Sequence, residues 1–150
     1  KKMFRYCVWY KVKDLHPIHQ AMRSYACLLD TPTFPAHVTI ASQLSKEKAM
    51  AVSRRDAHAS KPMLSCSGTP VQTMQAFDHK EFHAVEQRLN MNGVVVDGIH
   101  LSLAYRLNQA FTPMEMAHAP AIPRIYPDDI EVCVANCHAE DPGDWFVETL

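Results

Sequence analysis

Two tetrapeptides, His37-Val38-Thr39-Ile40 and His100-Leu101-Ser102-Leu103, constrain this chain more than any other feature. Each reads imidazole, apolar, hydroxyl, apolar. A repeat of two is the repeat of a strand, in which residues i and i+2 share a face. Each segment is therefore expected as a strand with its apolar pair in a core and its His and hydroxyl on the opposite face. With fifteen Ser and Thr among 150 residues, the nine His give about one His-x-Ser/Thr by chance. Three occur, the third being His58-Ala59-Ser60, and only the first two also carry both apolar residues.

The surrounding pattern gives an α+β domain of six to eight strands and two or three helices. Met3 to Val12 reads as a strand. Asp14 is the expected N-cap of a helix running from Leu15 through Leu29, with Pro17 in its first turn. Ala36 to Ala41 reads as a strand. Ser45 opens a helix over Lys46 to Arg55, although Lys48 does not complete a capping box. Met63 to Phe77 reads as one or two strands broken at Gly68-Thr69-Pro70. Glu81 to Leu89 fits a strand or a helix. Asn92-Gly93 signals a turn, Ile99 to Tyr105 a strand, and Thr112 to Pro127 a Pro-rich loop, of which Thr112 to Pro123 is either a lid or a plain connection. Ile130 to Asn136 and Trp145 to Val147 close the series. Strand, helix, then a His-bearing strand is expected in each half.

Composition narrows the functional classes. With 47% hydrophobic and 21% charged residues, the chain can build one core. Fifteen basic and sixteen acidic residues leave a formal charge of −1, so no broad field grips duplex nucleic acid. No apolar run reaches the ~18 residues of a membrane span. The five Cys are odd in number and lack CxxC spacing, so they read as reduced core residues of a cytoplasmic protein. Cys133, Cys137 and His138 lack a second ligand pair at zinc spacing, and neither metal nor cofactor is expected. The chain does not begin with Met and reads as a segment of a larger or processed polypeptide.

Two imidazoles facing one cleft point to paired acid–base chemistry at a phosphodiester. Their ordinary pKa near 6.5 lets a neutral and a protonated ring coexist near neutrality. One takes a proton from water or a ribose hydroxyl, and the other protonates the leaving oxygen. Thr39 and Ser102 would donate to the non-bridging phosphate oxygens. The sequence does not say which His is the base.

Paired His-x-Ser/Thr strands define the 2H phosphoesterase family, which this chain resembles. Pro32-Thr33-Phe34-Pro35-Ala36-His37-Val38-Thr39-Ile40-Ala41-Ser42-Gln43-Leu44 is similar to the first motif of its cyclic nucleotide phosphodiesterases. His100-Leu101-Ser102-Leu103-Ala104-Tyr105 is similar to the second, and Val8-Trp9-Tyr10 to the opening of fungal members. The likeness spans about 25 residues in three blocks. It implies two pseudo-symmetric antiparallel sheets with outer helices around a central cleft. It implies metal-independent cleavage of nucleoside 2′,3′-cyclic phosphates, ADP-ribose cyclic phosphate or, as in viral members that blunt host oligoadenylate signalling, 2′,5′-oligoadenylate. The partner is then a small nucleotide or short oligonucleotide, and the protein a monomer. Ala36 replaces the Pro that many members carry before the first His. Only 62 residues separate His37 from His100, so a trimmed second lobe and a more open cleft are expected.

Around this core of His37, Thr39, His100 and Ser102 the remaining candidates stay two-sided. Tyr105 either meets the substrate or packs in the core, and so does Phe34. Trp9 and Tyr10 point to opposite faces, so at most one reaches the cleft. Arg106 is a phosphate contact or a solvated charge. His58, His79, His83, His118 and His138 read as surface or structural. A nucleotide-binding module without turnover is the rival from another class, and a zinc-stabilised interaction domain is a third reading.

Overall fold

A computed structural model describes residues 5–139 and 141–148. Met3 and Phe4 of the expected first strand lie outside the described residues. The fold is α+β, built on two antiparallel sheets. The first sheet contains β1 (Tyr6–Val12), β2 (His37–Leu44), β7 (Ile130–Asn136) and β8 (Phe146–Val147), in the order β2-β1-β7-β8. In the second, β5 (Lys80–Met91) is central. One of its edges carries β3 (Leu64–Cys66) and β4 (Val71–Phe77), and the other carries β6 (Val94–Leu107).

Helix α1 (Ile18–Leu29) packs against β6, and α2 (Lys46–Ala57) against β1 and β7. The amphipathic face of α1 buries Ile18, Met22, Tyr25, Ala26 and Leu29. Of these, Ile18, Met22, Tyr25 and Leu29 join Val12, Val38, Leu101, Leu103 and Ile130 in the main core. Val38, Leu101 and Leu103 therefore sit where their alternation puts them, at most 1% exposed, whereas Ile40 is only partly buried, against a separate cluster of Val8, Ala49 and Val134. Among the described residues, no helix is long and apolar enough to cross a membrane.

Several elements differ from the expectation. Asp14 does not cap α1; its carboxylate pairs with Lys11 at 2.9 Å. Pro17 is the N-cap, and the His16 ring accepts from the Ile18 amide at 3.1 Å. Ser45 caps α2 through the Lys48 amide, one half of a capping box. Glu81 to Leu89 belongs to a strand. The connection from Thr112 holds a short helix, α3 (Pro113–Ala117), because Thr112 and Glu115 form a full capping box. Trp145 ends a 3-10 turn over Pro142–Asp144, so the last strand starts one residue later. The second half does not repeat strand–helix–strand, since β6 is reached from β5 across a hairpin. Cys27 and Cys66 are exposed and are not core residues.

The hairpin turns explain that topology. Asn92 and Gly93 both have positive φ (52° and 78°), the geometry of a type I′ turn. Asp78 and His79 do the same for the β4–β5 hairpin (51° and 63°) without the usual glycine.

Candidate active site

A cleft of about 610 Å³ opens between the two sheets, within the size range of small-molecule sites. His37, Thr39, Trp9, His100 and Tyr105 all line it. Register explains the first group. Trp9 faces Thr39 and Lys11 faces His37 across β1 and β2, so the Trp9, His37 and Thr39 side chains share one face. On β6, Leu101 and Leu103 turn into the core and His100 onto the cleft; Ser102 shares the His100 face but is buried, 5% exposed, and does not itself line the cleft.

The two imidazoles are held alike. His37 Nδ1 lies 2.7 Å from the Pro35 carbonyl oxygen, and His100 Nδ1 lies 3.0 Å from that of Gly98. Each carbonyl belongs to the residue two positions upstream. A carbonyl only accepts, so each Nδ1 carries a hydrogen and donates. That leaves Nε2 of both rings as the nitrogen available for chemistry.

Their surroundings differ. His37 is 6% exposed and stacked under the Trp9 indole, centroids 3.6 Å apart. Burial pushes its pKa down to about 4; the Pro35 hydrogen bond opposes this and the charge of His100 adds to it. His37 is thus a neutral ring with a free lone pair near neutral pH. The His100 side chain is 38% exposed, and its Nε2 lies 3.5 Å from Glu86 Oε1. A protonated His100 has a carboxylate beside it.

Tyr105 reaches the cleft through a bulge. Ser102 faces Glu86 and Ala104 faces Val85, so β6 holds an extra residue there. The bulge puts Tyr105 on the Ser102 face although the two are three apart. The Tyr105 hydroxyl donates to Ser102 Oγ at 2.9 Å. Burial raises the Tyr105 pKa to about 12, partly offset by that hydrogen bond, so the phenol stays a donor. With its oxygen engaged, the Ser102 hydroxyl has its own hydrogen left to give.

Phe34 does not line this cleft. It lines a second cavity of about 370 Å³ beside α1 and packs against Tyr105, 4.9 Å between centroids. Tyr10 packs against the main core, so Trp9 is the one of the pair in the cleft. Arg106 is neither a phosphate contact nor a solvated charge. It forms a two-pronged pair with Glu115, at 2.9 and 2.6 Å, under the Phe111 ring. His83 is buried against Glu81, while His58, His79, His118 and His138 are exposed. No group of three or more metal-ligating side chains occurs among the described residues; Cys133 and Cys137 pack around Trp9.

Sequence reasoning missed Glu86 and Trp145. Glu86 falls in the segment left between strand and helix. Trp145 lies against Phe34, His37 and Tyr105 and lines both cavities. Its Nε1 donates to the Ala139 carbonyl at 2.7 Å. No local pattern marks such a contact. No protein-family model matches the chain, and no curated protein matches it.

Proposed function

We propose that this chain is a phosphodiesterase of the 2H type, cleaving small RNA-derived phosphodiesters by two-histidine acid–base catalysis. The observation that carries this reading is the matched tethering of His37 and His100. Both rings are fixed through Nδ1 to the carbonyl two residues back, and both line the same cleft, where Nε2 of His100 lies 3.5 Å from Glu86 Oε1. The two sheets, one motif strand on each, also accord with the 2H architecture.

The asymmetry of the pair supports a division of roles. Neutral His37 is the base: its Nε2 takes a proton from water, or from the 3′ hydroxyl beside a 2′,5′ linkage. The oxygen so freed attacks phosphorus. His100, in its charged form, gives its Nε2 proton to the departing ribose oxygen as the P–O bond breaks. Charge building on the non-bridging oxygens is met by the hydroxyls of Thr39 and Ser102. Anionic phosphate beside His37 favours the protonated ring, which strengthens the base once substrate is bound. The two rings supply both proton transfers and need no metal for them.

Chromatography of products in EDTA tests substrate class, with adenosine 2′,3′-cyclic phosphate and 2′,5′-triadenylate as substrates. Turnover of the cyclic phosphate alone indicates RNA-end or tRNA-splicing metabolism. Loss of the triadenylate indicates an antagonist of oligoadenylate signalling. If neither is consumed, the enzymatic reading fails and a nucleotide-binding module takes its place.

A further inference from the structure

Glu86 is the only carboxylate among the described residues that line the cleft. It faces Ser102 across the β5–β6 ladder. Its Oε1 accepts from the Thr73 hydroxyl at 2.9 Å and lies 3.5 Å from His100 Nε2. The side chain is 18% exposed. The carboxylate is therefore fixed beside the His100 imidazole, on the cleft wall where a phosphate would bind. A negative group there works against anion binding, and the repulsion grows with the charge of the ligand. Arg5, at the cleft wall, and Arg88, opposite His100 on β5, are the nearby arginines.

A phosphodiester carries one negative charge at neutral pH. A phosphate monoester carries nearly two, because its second proton leaves near pH 6. Hydrolysis of a cyclic phosphate converts the first into the second. We propose that Glu86 makes the cleft selective for singly charged phosphodiesters over doubly charged phosphomonoesters, admitting substrate and expelling product. This rests on the phosphodiesterase reading above and names a specificity-determining residue for it. Thr73 is the positioning partner that keeps the carboxylate turned toward His100.

Titration calorimetry at pH 7.5 tests the selectivity with two probes. One is adenosine 2′-monophosphate. The other is 2′-deoxyadenosine 3′-(methyl phosphate), a singly charged diester without the neighbouring hydroxyl. Glu86→Gln keeps the side-chain size and an oxygen for Thr73. It is expected to tighten the monophosphate about tenfold and the diester only about threefold, since the dianion loses twice the repulsion. Equal tightening of both probes, or none, overturns the proposal. The parent protein supplies a second reading that requires no variant. Between pH 7.5 and 5.5 the monophosphate becomes singly charged, so its affinity relative to the diester should rise; a constant ratio contradicts the role of Glu86. Selective binding without turnover of either RNA-derived substrate would remove the enzymatic reading and keep the selectivity. Turnover without selectivity would remove only the latter.

Discussion

The Trp9 indole lies flat on the His37 imidazole, with centroids 3.6 Å and planes 12° apart. Trp9 is fully buried, so the stack takes one face of the ring out of water. That desolvation makes His37 the neutral partner of the pair and couples it to folding.

Stability should fall as the solution is acidified through the window set by His37. Its folded pKa, about 4, is below the ordinary imidazole value of 6.5. Between those values the unfolded chain holds a proton that the folded chain does not, so stability rises with pH there. The full shift corresponds to about 3 kcal/mol, lost progressively as pH drops from 6.5 toward 4. Urea unfolding of parent and His37→Phe at pH 7 and pH 4.5 checks this. The variant should show a flatter pH dependence; an identical slope would mean that His37 titrates normally.

Activity should outlast ordinary histidine titration on the acid side. With His37 as the proposed base, activity in the unliganded protein is lost only when His37 protonates. The acid limb of kcat/KM against pH is thus expected well below 6.5, toward 4. Trp9→Ala, which opens His37 to water, should move that limb upward. A limb near 6.5 in the parent would contradict a buried base.

Removing the Tyr105 hydroxyl should slow turnover without unfolding the domain. Tyr105→Phe keeps the ring against Phe34 and Trp145 and deletes only the donor to Ser102 Oγ. A loss of about tenfold in kcat is expected, the size of one hydrogen bond of roughly 1.5 kcal/mol. KM should change little. An unchanged kcat would show that Ser102 needs no orienting partner.

Arg106 gives the opposite result. Arg106→Met breaks the double contact with Glu115 that anchors α3. The expected cost is about 1.5–3 kcal/mol of stability, typical of hydrogen bonds to charged groups. KM should stay at the parent value, because the guanidinium does not line the cleft. A large rise in KM with unchanged stability would restore Arg106 as a phosphate contact.

The alternation of the two tetrapeptides was legible because period-two patterning is local and both segments anchor one apolar face. Trp9 and Tyr105 reach the cleft for reasons that simple alternation does not carry. Tyr105 depends on the β6 bulge, and Trp9 on its pairing opposite Thr39. Glu86 was hidden by register. From the Asn92-Gly93 turn, β6 advances five residues, Val95 to His100, while β5 moves two, Asn90 to Arg88. Gly98, with φ 84°, sits within that irregular stretch. An ideal hairpin count from the turn therefore places Glu86 away from Ser102. Helix α3 was hidden among prolines, although Thr112-Pro113-Met114-Glu115 carries the capping-box spacing.

The central claim is that both imidazoles carry the reaction, and single-residue kinetics tests it most directly. Steady-state turnover in EDTA would compare the parent with His37→Ala and His100→Ala on adenosine 2′,3′-cyclic phosphate and 2′,5′-triadenylate. The account predicts that each variant loses about 10²–10⁴ in kcat on whichever substrate the parent consumes. A variant that remains folded and turns over at the parent rate would contradict the two-histidine mechanism.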